Sequence, residues 1–340
     1  NGAFTEDLAS IGAGTFDVTV TDANGCTANT SYPLTAPVTV VVDLTSSTQP
    51  GGANILCNGG NDGSIAAAIS GGTQPYDIQW NGPNSFTATT DSINALVAGS
   101  YTLVVTDANG CSSTSTTTLT EPAPVAVDVT SVTYNGGFNI PCAELSLGVF
   151  DAVASGGTPG YTFLWTAPDA STNTGSNLIG LSAGTYDLVV TDSNGCTAAT
   201  TATLTAPGPL DVVIQLSDFG GSPVSCAGND GSISLNVSGG TPAYEINWTG
   251  TGGFGSQQED ISALAAGTYD LIVSDANGCH TDTSIVLTAP APLQAAFAGT
   301  PNSCATNADG GLDLTISGGG APYSFAWSGP GGFTSSDEDL

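Results

Sequence analysis

The chain has 340 residues and contains no Lys, Arg or Met, so its 30 acidic residues stand unopposed at a formal net charge of −30. Phosphate groups and anionic lipid surfaces are gripped by Lys and Arg, so nucleic acid and acidic membranes are excluded as partners. Charged residues make up only 9%, but apolar residues make up 40%, enough to bury a core rather than leave the chain disordered; no apolar run approaches the roughly 18 residues of a membrane helix, so direct membrane insertion is not expected.

Two sets of cysteines set the organisation. Cys26, Cys111, Cys196 and Cys279 recur every 83–85 residues, each after Thr/Ser-Asp-Ala/Ser-Asn-Gly, and Cys57, Cys142, Cys226 and Cys304 each precede an apolar, alternating segment. Such a period means tandem copies of one small domain. Taken in order, residues 1–36 are the C-terminal part of a repeat. Residues 37–121, 122–206 and 207–289 are complete repeats, and residues 290–340 are the N-terminal part of another. Asn1 aligns with Phe86, and Leu340 with Ile93, Ile261 and Leu8, so the natural protein is expected to continue in both directions. The joints read Thr35-Ala36-Pro37, Glu121-Pro122-Ala123-Pro124, Ala206-Pro207-Gly208-Pro209 and Ala289-Pro290-Ala291-Pro292. Pro-x-Pro segments are stiff and extended, so a rod is expected rather than beads on a string.

Residues 37–121 show the strand plan. Val38–Asp43 alternates as a first strand. A Gly/Pro/Asn loop carries Cys57, and Ser64–Ser70 forms a second strand. After the turn Gly71-Gly72-Thr73-Gln74-Pro75, a third strand places Tyr76, Ile78 and Trp80 on one face. Polar turns lead to Asp91–Leu96. Ser100–Thr106 then lines up Tyr101, Leu103 and Val105, Asp107-Ala108-Asn109-Gly110 is a hairpin turn, and Ser112–Thr120 is the last strand. About seven short strands per repeat with no helical period indicate an all-β fold, a tandem array of Ig-like β-sandwich domains forming a stiff rod. Trp80, Trp165, Trp248 and Trp327 read as core anchors. Phe16, Tyr101, Tyr186 and Tyr269 stand where a tyrosine corner belongs.

Chemistry-bearing residues are few. His280 is the single histidine, and its periodic equivalents are Thr27, Ser112 and Thr197, which reads as an exposed hairpin residue. No Gly-rich phosphate loop, Gly-x-Ser-x-Gly elbow or His-Glu-x-x-His motif occurs, no Cys-x-x-Cys pair suggests zinc, and no enzyme is expected. Asp22, Asp107, Asp192 and Asp275, and likewise Asp62, Asp230 and Asp309, are accounted for by turn chemistry. The sharper alternative is Ca2+ at domain joints, held by Asp62, Asp107, Asp192, Asp230 and Asp275, because hard cations take clustered carboxylate and carbonyl oxygens; no other cofactor is required. Sequons at Asn29, Asn236 and Asn247 are irregularly placed and read as chance.

A family resemblance rests on three stretches of one repeat: Cys226-Ala227-Gly228-Asn229-Asp230-Gly231-Ser232-Ile233, then Ser238-Gly239-Gly240-Thr241 leading to Tyr244 and Trp248, then Ala266-Gly267-Thr268-Tyr269 leading to Asp275-Ala276-Asn277-Gly278-Cys279. These resemble the SprB-type repeat of giant surface adhesins in gliding Bacteroidetes. The repeat beginning at residue 122 departs: the stretch from Cys142-Ala143-Glu144-Leu145 lacks the Asn-Asp-Gly-Ser seen at Asn61–Ser64 and Asn229–Ser232. The resemblance implies type IX secretion, a cell-surface filament, and a mechanical role in adhesion or gliding. In that context Asp91-Ser92-Ile93 resembles a Bacteroidetes O-glycosylation acceptor, with Ser92 the candidate residue.

Eight periodic cysteines in an acidic, lysine-free chain read as extracellular disulfides. With the strands lettered A to G, Cys57 lies in the A–B loop at one pole of its sandwich and Cys111 after the F–G turn at the other. A strand of about 8 residues separates the poles by roughly 25 Å, whereas a disulfide needs Cα atoms within about 7 Å. Head-to-tail stacking brings the A–B loop of one domain to the F–G turn of the next. This predicts Cys57–Cys196 and Cys142–Cys279, with Cys26, Cys111, Cys226 and Cys304 paired to repeats beyond this segment or left open. The alternative keeps pairs within a repeat: Cys57–Cys111, Cys142–Cys196 and Cys226–Cys279. The expected partners are neighbouring repeats of the same chain, and surface glycans or a substratum. A carbohydrate-binding array of a secreted enzyme and a receptor-free sheath are the rival functions.

Overall fold

A computed structural model of the chain describes residues 8–305, 308–320 and 322–340. Ahead of the first complete repeat lies a hairpin of β1 (Gly14–Thr21) and β2 (Thr27–Leu34). Residues 37–121 give β3 (Val41–Ser46), β4 (Gly63–Ser70), β5 (Asp77–Gly82), β6 (Phe86–Ala88), β7 (Ser92–Leu96), β8 (Gly99–Thr106) and β9 (Ser112–Leu119). The plan recurs as β10 (Ala126–Ser131), β11 (Gly148–Ser155), β12 (Thr162–Thr166), β13 (Thr172–Asn173), β14 (Asn177–Leu181), β15 (Gly184–Thr191) and β16 (Thr197–Leu204). It recurs again as β17 (Asp211–Leu216), β18 (Gly231–Ser238), β19 (Glu245–Gly250), β20 (Phe254–Ser256), β21 (Ile261–Leu264), β22 (Gly267–Ser274) and β23 (His280–Leu287). The chain closes with β24 (Gln294–Thr300), β25 (Gly311–Ser317), β26 (Trp327–Ser328) and β27 (Thr334–Ser335). Among the described residues no helix is long and apolar enough to cross a membrane.

Each complete repeat is an antiparallel sandwich. A three-stranded sheet ordered β3-β4-β7 packs on a four-stranded sheet ordered β6-β5-β8-β9, and the other two repeats keep that order. Period-two alternation fills the space between. In β8, Tyr101, Leu103 and Val105 are buried while Thr102 and Val104 are not. They meet Ile65, Ile93 and Leu96 from the opposite sheet around the buried Trp80. The indole N–H of Trp80 donates to the Thr90 carbonyl, and Trp165 and Trp248 donate to the carbonyls of Gly175 and Gln258, each ten residues on. The hydroxyls of Tyr101, Tyr186 and Tyr269 donate to carbonyls four residues upstream, at Val97, Ser182 and Ala265. Each polar tip thus has a partner, which lets a large aromatic sit in the core without an orphaned donor.

The first strand starts later than Val38–Asp43. Its ladder with β4 begins at Val41, opposite Ser70, because the backbone before it is engaged elsewhere. The Gly72 N–H donates to the Val38 carbonyl, and the same bond joins Gly157 to Ala123, Gly240 to Gly208 and Gly319 to Ala291. The Gly-Gly turn lies so close to the incoming chain that a Cβ on Gly71 would stand 2.1 Å from the Thr39 carbonyl oxygen, at a φ of +70°. Only glycine tolerates both the contact and the left-handed backbone. A short β6 replaces part of the polar turn expected before Asp91. Three residues are too few to show alternation.

Candidate functional site

The residues that the fold brings together most closely lie at the joints between repeats. The receiving side is the pole where the B–C and F–G turns meet. Asp192 is buried there and accepts backbone N–H groups from Thr158 at 2.8 Å, Asn194 at 2.9 Å and Cys196 at 2.8 Å. Asp107 and Asp275 repeat the arrangement with Thr73, Asn109 and Cys111, and with Thr241, Asn277 and Cys279. The N–H of Thr73, then those of Cys111 and Asn109, hold the Asp107 carboxyl below the usual carboxylate range against the opposing effect of burial. At Asp192 burial pushes upward, but the N–H groups of Thr158, Cys196, Asn194 and Gly195 together outweigh it and the net shift is downward. Each Asp therefore fuses two turns into one rigid platform.

The A–B loop of the preceding repeat docks on that platform. Cys57 is bonded to Cys196 and Cys142 to Cys279, with Cα–Cα distances of 5.6 Å in both bridges. The intra-repeat alternatives Cys57–Cys111, Cys142–Cys196 and Cys226–Cys279 are not formed. Cys196 and Cys279 are engaged across joints, and Cys111 and Cys226 are free, exposed thiols, as are Cys26 and Cys304.

A second link reinforces each bridge. The side-chain amide of Asn194 donates across the joint to the carbonyls of Pro50 at 3.2 Å and Leu56 at 3.4 Å, and within its own repeat to Thr158 at 2.9 Å. Asn277 does the same toward Asn135 at 3.3 Å, Pro141 at 3.2 Å and Thr241 at 3.0 Å. Asn135 answers with its own amide on the Ala276 carbonyl at 2.9 Å. The linker is tied down on its outer side as well, where the Glu121 carboxylate accepts from Gly59 N–H at 2.7 Å and from the Asn58 amide at 3.0 Å. Sequence reading passed over these asparagines because turn chemistry already explained them. The available signal was that Asn holds its place in Asp-Ala/Ser-Asn-Gly while the residue before it changes.

The remaining candidate residues are dispersed. Asp62 accepts from Leu56 N–H and the Gln49 amide, and Asp230 accepts from Ser225, so both close A–B loops. Hydrogen bonding by the Ser225 side chain, then by its N–H, holds Asp230 below the usual carboxylate range. Asp107, Asp192 and Asp275 lie in F–G turns and Asp62 and Asp230 in A–B loops; among the described residues no three His, Cys, Asp or Glu are grouped to hold a metal ion. His280 is exposed at the start of β23 beside the second joint. Ser92 is exposed at the start of β7.

Three segments match the family model described as SprB repeat: residues 53–85, 222–253 and 296–332. No curated protein matches the chain. Among solved structures, similarity is found to the N-terminal eight Ig domains of Down Syndrome Cell Adhesion Molecule, at 12% identity and a TM-score of 0.29; the alignment covers 94% of this chain but 56% of that one. A 1.5-MDa bacterial ice-binding adhesin matches at 16% identity over 75% of this chain and 98% of its own, with a TM-score of 0.37. A Ca2+-stabilized adhesin of an Antarctic bacterium matches at 18% identity over 81% of each chain, with a TM-score of 0.32.

Proposed function

Because this chain carries SprB repeats, we propose that it is a segment of a giant extracellular adhesin or surface filament that bears load in attachment or gliding. The observation that carries this reading is the stapled joint. The two joints between complete repeats repeat one design: a disulfide, an asparagine clip and a linker clasped by the Gly-Gly turn. Small interdomain contacts alone leave domains free to move, and covalent bridging removes that freedom. Disulfides persist in oxidising surroundings, which supports a place outside the cell; the type IX route is the one the repeat resemblance implies. The partners in this reading are neighbouring repeats and, further out, surface glycans or a substratum. A carbohydrate-binding array needs exposed aromatic platforms, but Trp80, Trp165 and Trp248 are at most 1% exposed. The acids are used for turn geometry, which supports a non-enzymatic role.

The test is a monovalent antibody fragment raised against residues 37–121, applied to cells that display the protein. The expected result is a filamentous surface label and loss of attachment or movement on addition of the fragment. Label found only in the soluble secreted fraction, or attachment and movement unchanged at saturating label, would overturn the proposal.

A further inference from the structure

The first joint between complete repeats carries a clasp that the second lacks. Glu121, in the linker, holds two groups of the A–B loop with its two carboxylate oxygens. One oxygen accepts the Asn58 side-chain amide at 3.0 Å and the other accepts the Gly59 backbone N–H at 2.7 Å. The Pro122 carbonyl takes the same amide at 3.1 Å. At the equivalent places the next two repeats have Ala143 with Ala206, and Ala227 with Ala289. In these three repeats Asn and Glu occur together, and where one is replaced by Ala so is the other. The second joint is bridged and clipped without either residue, so docking alone does not require the pair. What the pair touches is a reactive sequence. In Asn-Gly the backbone nitrogen that follows Asn can attack the side-chain amide, and glycine has no side chain to block the approach. Both residues are exposed, and a Cβ placed on Gly59 would meet nothing within 4 Å.

We propose that Glu121 catalyses closure of a succinimide ring at Asn58, a self-modification of the first joint. The carboxylate takes the proton of the Gly59 N–H while that nitrogen bonds to Cγ of Asn58. The resulting carboxyl group gives the proton to Nδ2, the Cγ–Nδ2 bond breaks, and ammonia leaves with the carboxylate restored. Water then opens the ring and leaves aspartate or isoaspartate at the position. Proton transfer by a placed carboxylate is general acid–base catalysis, and here one group faces both the nucleophile and the leaving group. Asn277, also followed by glycine, gives the contrast. The Gly278 N–H donates to the Asp275 backbone carbonyl at 3.0 Å. The Asn277 amide faces the carbonyls of Asn135 and Pro141 and the Thr241 hydroxyl, all weaker bases than a carboxylate. At Asn58 the product replaces an amide donor with a carboxylate that faces Glu121, like charge against like. The clasp is then released while Cys57–Cys196 stays closed, so the first joint loosens with age and the second does not.

Incubation of the disulfide-bonded chain, followed by chymotryptic mapping by mass, tests this. Ring closure lowers the mass of the Asn58 peptide by one ammonia, and hydrolysis then adds one water. The expected result is that Asn58 converts faster than Asn277 in the folded chain and that the difference disappears in denaturant. Glu121→Ala installs the residue that the fold already accepts at Ala206 and Ala289. It should slow conversion at Asn58 by about 100-fold, the low end of what a placed acid–base group supplies, and leave Asn277 unchanged. Glu121→Gln keeps an acceptor for the Gly59 N–H but cannot carry the proton, and should be as slow. A clasp that only restrains Asn58 gives the opposite sign, because freeing the side chain speeds conversion. Asn58 converting no faster than Asn277 in the folded chain, a difference that persists in denaturant, or an Asn58 rate unchanged or raised in either variant would overturn the proposal.

Discussion

Stretching single molecules by their ends reads out how the disulfides route force. Cys57–Cys196 and Cys142–Cys279 overlap in sequence, with separations of 139 and 137. Once every domain is unfolded, the taut covalent path crosses from Cys57 to Cys196, runs back along the chain to Cys142, and crosses to Cys279. About 54 residues then span a stretch that otherwise contains about 220, and at about 3.5 Å per extended residue the shortening is about 590 Å. Removing one bridge recovers little, because the other still bypasses its own loop: Cys57→Ser or Cys142→Ser alone should lengthen the fully extended chain by about 30 residues, or about 100 Å. Removing both should lengthen it by about 590 Å. Force spectroscopy of the parent, the two single variants and the double variant gives the four lengths directly. Single-variant increments that sum to the increment of the double variant would refute the reasoning, because bridges confined within repeats would add in that way.

Other outcomes follow from the joint and the core. Asn194→Ala removes both amide bonds across the joint and should cost about 1–2 kcal/mol of joint stability, widening the interdomain distances seen by small-angle scattering; Asn109→Ala, whose amide bonds Thr73 within its own repeat, should leave those distances unchanged. Trp165→Ala empties the centre of the second complete repeat, where Trp165 stacks on Phe150 at 5.1 Å, and should lower the stability of that repeat by about 3–5 kcal/mol in denaturant unfolding. Asp107 and Asp192 titrate below the usual carboxylate range when folded. Their contribution is therefore complete above that range and is lost as pH falls through their depressed folded values. The melting temperature should be level above about pH 5 and drop below about pH 4, with a shallower drop in Asp192→Asn. The absence of Lys and Arg means that trypsin should leave the mass of the denatured chain unchanged; any tryptic fragment contradicts this.

The strand plan was legible because the repeat shows the same experiment several times over. Tyr101, Leu103 and Val105 alternate in one copy, Tyr186, Leu188 and Val190 in the next, and Tyr269, Leu271 and Val273 in the third, and all are buried. Period alone could not place the first strand, because Val38 and Val40 alternate as well as Val42 does. What ends the ladder at Val41 is a turn arriving from more than 30 residues away, through the Gly72 bond to Val38. Turn formation and cation binding both want Asp beside Asn and Gly, so sequence cannot separate the two uses. In the structure Asp192 accepts N–H groups from both turns of its pole. The asparagine clip was hidden for the opposite reason. Its acceptors at Pro50 and Leu56 are backbone carbonyls, which any residue supplies and no side-chain pattern marks.

The overlap of the two bridges also changes what it takes to break the strand. A cut anywhere between Cys57 and Cys142 leaves the pieces joined through Cys57–Cys196, and a cut between Cys196 and Cys279 leaves them joined through Cys142–Cys279. Between Cys142 and Cys196 both bridges span the gap. No single hydrolysed peptide bond in that whole stretch parts the molecule, including the exposed joint residues where a protease would find easiest access. Continuity resides in the weave of backbone and sulfur rather than in the backbone alone, much as a lockstitched seam survives one broken thread. Damage must strike twice, or be joined by a reducing agent, before the ends separate.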